Sequence, residues 1–127
     1  MLHLDTSALI GALCMPKQAG SALRKRIDLG EPIFLSAPTL YEWQRGPRRP
    51  EELKIQEELF PSWLAIPFGP IEAAIAAKLY RSVKRPRGRE VDLTIAACAI
   101  SCEAQLWTLN PEDFDDIPGL TLAQPRI

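Results

Sequence analysis

A chain that opens Met1-Leu2-His3-Leu4-Asp5-Thr6-Ser7-Ala8-Leu9 has few ways to fold. A short apolar run ends in an aspartate. Two hydroxyl residues follow, and the segment Thr6–Leu13 then carries Leu9, Ile10 and Leu13 on one helical face. This reads as strand, acidic turn and helix. The same alternation runs on down the chain. Ile33–Leu35, Leu64–Phe68, Leu106–Leu109 and Leu120–Leu122 are expected as further strands, with Pro67 marking the third as an edge. Helices are expected at Lys17–Leu29, Thr39–Gln44, Glu51–Phe60, Pro70–Val83 and Asp92–Gln105, and a helical turn at Pro111–Asp115. Pro16 breaks the first helix and Gly30 stops the second. Strands alternating with helices predict one α/β domain over 1–127, with a parallel sheet covered on both faces. Its right-handed crossovers gather the loops that follow the strands at one edge.

A chain of 127 residues, 46% hydrophobic and 24% charged, has the make-up of one soluble globular domain. The net charge of −1 neither favours nor excludes nucleic acid, because distribution decides that. Five basic side chains lie between Arg81 and Arg89, while Glu103 to Asp116 carries five acids and no base. Cys14, Cys98 and Cys102 make an odd count with no secretory leader, so a cytoplasmic chain with reduced thiols is expected. Cys98 and Cys102 have the spacing of a zinc pair, but His3 is the only histidine and lies far off in sequence, so buried packing is their expected role. No apolar run approaches the ~20 residues of a membrane span.

Four carboxylates fall beside the predicted edge. Asp5 follows strand one, Glu42 lies one turn into the helix after strand two, Asp92 opens the long helix, and Asp113 follows strand four. Singly, each has an ordinary use as a cap, a partner of a helix dipole or a solvated residue. Brought together they would raise one another's pKa unless a hard cation neutralised them. Oxygen donors without a nearby histidine or thiolate favour Mg²⁺ or Mn²⁺. Such an ion lowers the pKa of a bound water and clamps a phosphoryl oxygen, so phosphodiester hydrolysis is the natural chemistry.

Leu4-Asp5-Thr6-Ser7, Glu42, Asp92-Leu93-Thr94-Ile95-Ala96-Ala97 and Leu106-Trp107-Thr108-Leu109-Asn110-Pro111-Glu112-Asp113-Phe114, in that order and spacing, resemble the PIN domain. More closely they resemble its VapC-like toxin ribonucleases, from Leu2 to the closing segment Ile117-Pro118-Gly119-Leu120 and on to Leu122. The resemblance implies a five-stranded parallel sheet in the order 3-2-1-4-5, an acidic pocket holding Mg²⁺ or Mn²⁺, and endonucleolytic cleavage of RNA. It makes Asp5 the central ligand with Glu42 and Asp92 as partners, and Asp113 the completing acid, directly or through water. Ser7 and Thr108 match hydroxyls that orient those carboxylates, and Asn110 a polar neighbour of the pocket. Asn110 is neutral where some relatives carry an acid, and Leu109 replaces a frequent arginine. One metal or two is thereby left open. The resemblance further implies a small antitoxin, in a type II toxin–antitoxin pair, and a homodimer.

An acidic pocket repels RNA, so phosphate contacts are expected from its rim. Arg45, Arg48 and Arg49 follow Glu42, and Arg85, Arg87 and Arg89 precede Asp92. Tyr41 and Trp43 flank Glu42 and point in different directions, so at least one is expected in the core, as is Trp107. Two other readings compete. An inactive PIN-like interaction module would keep the acids as caps. A phosphoacceptor receiver domain needs an aspartate after strand three and a late lysine, where this chain has Phe68-Gly69-Pro70 and no lysine beyond Lys84.

Overall fold

A computed structural model describes residues 1–15 and 20–123. The central strand β1, Leu2–Leu4, is followed by α1, Thr6–Cys14, then α2, Ser21–Asp28, and β2, Ile33–Phe34. Next come α3, Ala37–Arg45, and α4, Pro50–Leu59. A 3₁₀ turn at Ser62–Leu64 leads to α5, Pro70–Ser82, and α6, Glu90–Ser101. The chain ends in β3, Gln105–Trp107, and a 3₁₀ turn at Pro111–Asp113. The Pro16 break and the opening of the second helix at Lys17–Ala19 lie outside the described residues.

The sheet is parallel with β1 in the middle, order β2-β1-β3, and Leu2, His3 and Leu4 stand opposite Gln105, Leu106 and Trp107. Five strands were expected and three form among the described residues. The two outer ones contract to single parallel bridges, Ser36 to Ile66 and Leu106 to Leu122, each on the side the expected order assigns. Ile66 donates to Leu35 and accepts from Ala37, but Pro67 has no N–H to continue the ladder. On the other edge the Leu106 N–H reaches Thr121 and the Ala123 N–H reaches Leu106, and pairing stops there. Short edges of this kind leave little open backbone for unwanted pairing.

Side chains alternate across the sheet with period two. Leu2, Leu4 and Trp107 face α1, α3 and Phe60, where Leu9, Leu40 and Trp43 complete one core. Leu106 faces α5 and α6, whose Leu79, Leu93 and Ile95 complete a second core together with Phe114. His3 shares the register of Leu106 and is fully buried, with neither ring nitrogen hydrogen-bonded to a described residue. Burial lowers its pKa to about 4.

Several helix boundaries differ from the expectation, and two helices leave apolar residues exposed. Helix α6 begins at Glu90, so Asp92 lies within its first turn, and it ends at Ser101 rather than Gln105. Glu103 takes φ 54°, the Glu103 N–H bonds Ile100 and the Ala104 N–H reaches back to Ala99, a left-handed stop that releases Gln105 to β3. Helix α5 turns Ile75, Ala76 and Leu79 inward but leaves Ile71 and Ala74 exposed. Helix α4 exposes Leu53, Ile55 and Leu59 and buries Glu52 and Gln56 instead. Both buried polar groups are satisfied. Glu52 accepts from the Arg49 N–H and guanidinium, and the Gln56 amide donates to the Phe60 carbonyl. Trp43 is core while Tyr41 is exposed, and Trp107 and Cys98 are buried.

Candidate metal centre

Asp5 ends β1 and begins α1, at the edge where the loops following the strands meet. As a helix cap its carboxylate would accept from the second or third N–H of the helix. Here, among the described residues, Oδ1 accepts only from Thr6, at 2.7 Å. Oδ2 accepts from the Ser7 hydroxyl at 2.8 Å and from the Thr108 hydroxyl at 2.7 Å. Those hydroxyls are themselves oriented, Ser7 by the Leu109 N–H at 2.9 Å and Thr108 by the Asn110 N–H at 3.0 Å. Each hydroxyl has one proton, given to Asp5, so their 3.2 Å separation is packing rather than a further bond. Asp5 is 4% exposed, and burial raises its pKa against the lowering effect of these donors.

Glu42 arrives from α3. Ser36 caps that helix, and Pro38 occupies its first turn. The buried Thr39 hydroxyl donates to the Leu4 carbonyl at 3.2 Å, bolting the helix start onto the end of β1. One turn later Glu42 Oε1 accepts from the Thr6 hydroxyl at 2.6 Å, and Oε2 accepts from Arg45 at 3.2 Å. Asp92 comes from the first turn of α6 and has no hydrogen-bond donor among the described residues. Burial, together with the charges of Asp5, Glu42 and Asp113, raises its pKa to about 6, while Arg89 lowers it.

Asp5, Glu42 and Asp92 each offer an oxygen within 4.8 Å of the other two. They are the only such group among the described residues. Asp113 is exposed at the rim and does not join this cluster, although it lies near enough to raise the Asp92 pKa. Asn110 is exposed beside it. Three converging carboxylates, two of them with raised pKa values, form an oxygen-only donor set that a hard divalent cation would relieve.

The arginines divide. Arg45 pairs with Glu42 and stacks on Tyr41, with 5.0 Å to the ring centroid. Arg48 lies 4.6 Å over the Trp43 ring, and Arg49 pairs with Glu51 and Glu52. Arg89 pairs with Asp116. Arg85 and Arg87 are exposed, without a hydrogen-bond or ion-pair partner among the described residues. Sequence reasoning passes over Thr6 and Thr39. Their signal is a hydroxyl next to a strand-end acid and one turn ahead of a helical acid.

The chain matches the family model described as PIN domain over residues 2–120. No curated protein matches it. Among solved structures it is similar to a chain of VapBC2 from Rickettsia felis bound to a DNA fragment from their promoter. The TM-score is 0.79 at 25% identity, covering 97% of this chain and 98% of that one. It is similar to a chain of DNA-bound VapBC from Salmonella typhimurium, TM-score 0.77 at 21% identity, with 96% of each covered. FitAcB from Neisseria gonorrhoeae aligns with TM-score 0.69 at 22% identity, covering 97% of each.

Proposed function

Because this chain belongs to the PIN domain family, we propose that it is a metal-dependent endoribonuclease and the toxin of a type II toxin–antitoxin pair. The observation that carries this reading is the meeting of Asp5, Glu42 and Asp92 oxygens within 4.8 Å. These three residues would hold Mg²⁺ or Mn²⁺, with Asp113 acting through water. Once bound, such an ion makes a water acidic enough to attack and offsets charge on the phosphate. The chain's own groups do the rest. Ser7 and Thr108 fix the Asp5 carboxylate, and Thr6 fixes Glu42, so the donors need no reordering when an ion enters. Asp92, with its pKa raised to about 6, is held by a proton in competition with the ion only as pH falls toward that value. Arg85 and Arg87 meet RNA phosphates, and the expected products carry 5′-phosphate and 3′-hydroxyl ends.

Similar chains come from complexes named VapBC and FitAcB. That supports a small antitoxin partner here; a homodimeric toxin belongs to the same proposal without such support. Exposed apolar residues, among them Leu53, Ile55 and Leu59 on α4 and Ile71 on α5, are consistent with faces that partners cover.

The test is cleavage of mixed cellular RNA with and without Mg²⁺ or Mn²⁺. Wild-type protein should cut only with the ion, and Asp5→Asn should lose about a thousandfold in rate while keeping its circular dichroism and melting profile. Undiminished cutting by a clean preparation of that variant excludes the mechanism. A folded wild-type chain that binds a partner protein but cuts no RNA would instead be an interaction module.

A further inference from the structure

The basic run before Asp92 ends in a residue whose side chain turns back into the protein. Pro86 to Arg89 form a β-turn, closed by the Arg89 N–H on the Pro86 carbonyl at 2.9 Å. Gly88 occupies the third turn position at φ +86°, the left-handed conformation that glycine adopts without strain. The turn delivers Arg89 to the N-cap of α6, where its carbonyl accepts from Leu93 at 2.9 Å. Its guanidinium crosses to the loop after β3. Nη1 and Nη2 bond the two Asp116 carboxylate oxygens at 2.9 and 2.6 Å, and Nη2 also bonds the Asp113 carbonyl at 2.9 Å.

That loop has two anchors of its own, Phe114 and Ile117, both buried in the second core. Asp113 and Asp116 lie on its exposed side, where burial fixes nothing. Arg89 supplies what the apolar anchors lack. A planar fork bound to both oxygens of one carboxylate and to a backbone carbonyl sets direction as well as distance. The Arg89 side chain is 20% exposed and that of Asp116 49%, so it is the arginine end of the pair that the fold shelters. One residue therefore ties the start of the helix carrying Asp92 to the peptide carrying Asp113.

We propose that Arg89 is a positioning residue that holds the Asp113 carboxylate at the rim of the Asp5, Glu42 and Asp92 cluster, rather than a contact for RNA. This rests on the metal-dependent reading above. An RNA-binding arginine presents its donors outward, whereas both terminal nitrogens of Arg89 are taken up within the fold.

The experiment measures Mn²⁺ affinity by calorimetry on the full chain, with RNA cleavage and amide exchange in parallel. The variants are Arg89→Met, Arg89→Lys, Asp113→Asn and the double variant Arg89→Met/Asp113→Asn. Arg89→Met should weaken Mn²⁺ binding about tenfold, as losing a group that orients a metal's surroundings does. Arg89→Lys should restore only part, because an ammonium cannot pair with two oxygens in plane. In the Asp113→Asn background the loss from Arg89→Met should shrink below about twofold, because only its charge on Asp92, which opposes a cation, is then left to act. The amides of Asp113 and Phe114, bonded to Asn110 and Pro111, should exchange faster in Arg89→Met. Additive losses in the double variant, or unchanged exchange, overturn the proposal. A higher KM for RNA with unaltered Mn²⁺ affinity returns Arg89 to substrate binding and overturns it as well. A wild-type chain that binds no Mn²⁺ instead removes the nuclease reading, and with it this role for Arg89.

Discussion

Thr6 joins two carboxylates drawn from distant parts of the chain, its backbone N–H on Asp5 and its hydroxyl on Glu42. Just before it, His3 presents the opposite situation, a buried ring with no hydrogen bond to a described residue. Its folded pKa of about 4 lies below the ordinary 6.5, so the fold favours the neutral ring. Stability from this group is complete above about pH 6.5 and is lost as pH falls through about 4. The loss totals about 3 kcal/mol. Urea unfolding near pH 7 and near pH 4.5 should therefore show a steeper fall in wild type than in His3→Leu. Equal falls would mean that the ring finds a proton acceptor on folding. Asp5 and Asp92 slope the other way, since raised carboxylate pKa values cost stability as pH climbs, and both variants share that slope. At this scale the acids are legible in the sequence because Asp5 closes a strand, Glu42 lies on the helix after one, and Asp92 lies in the first turn of a helix. Thr6 and Thr39 are not, since a hydroxyl's partner depends on which helix lies across from it.

Elements are legible by type and order, and less so at their ends. Alternating apolar runs predict the helices and the three central parallel strands. Whether an edge run becomes a strand depends on neighbours that pattern does not encode, as Ile66 and Leu122 show with one bridge apiece. Helix α4 misleads for a different reason. Its apolar residues suggest an inward face, but Glu52 and Gln56 find backbone partners inside, and Leu53, Ile55 and Leu59 are left to solvent. The end of α6 escapes the pattern because its left-handed stop falls on a glutamate rather than a glycine. Glu103→Gly should relieve that conformation and raise stability by about 0.5–1 kcal/mol, read as a higher urea midpoint at unchanged m-value. A lower midpoint would show that the glutamate side chain contributes more than the strain costs.

Across the whole molecule, charge of opposite sign is separated over short distances. The acidic cluster is flanked by a basic loop in which Arg85 and Arg87 face solvent while Arg89 is engaged within the fold. Changing Arg85 and Arg87 together to glutamine should lower the slope of log affinity for single-stranded RNA against log salt by about 1.4, roughly 0.7 for each phosphate no longer neutralised. Lys25→Gln, on the exposed face of α2, serves as the control. A slope that stays put would remove the loop from the RNA path. One of the two hydroxyls that steady Asp5 stands 103 residues further along the chain. A ribosome that has already made Asp5, Glu42 and Asp92 has yet to add the threonine that completes the bonds to the first of them. A centre wired in this way is incomplete halfway through synthesis, so on the reading proposed above its chemistry begins only once the chain is nearly whole.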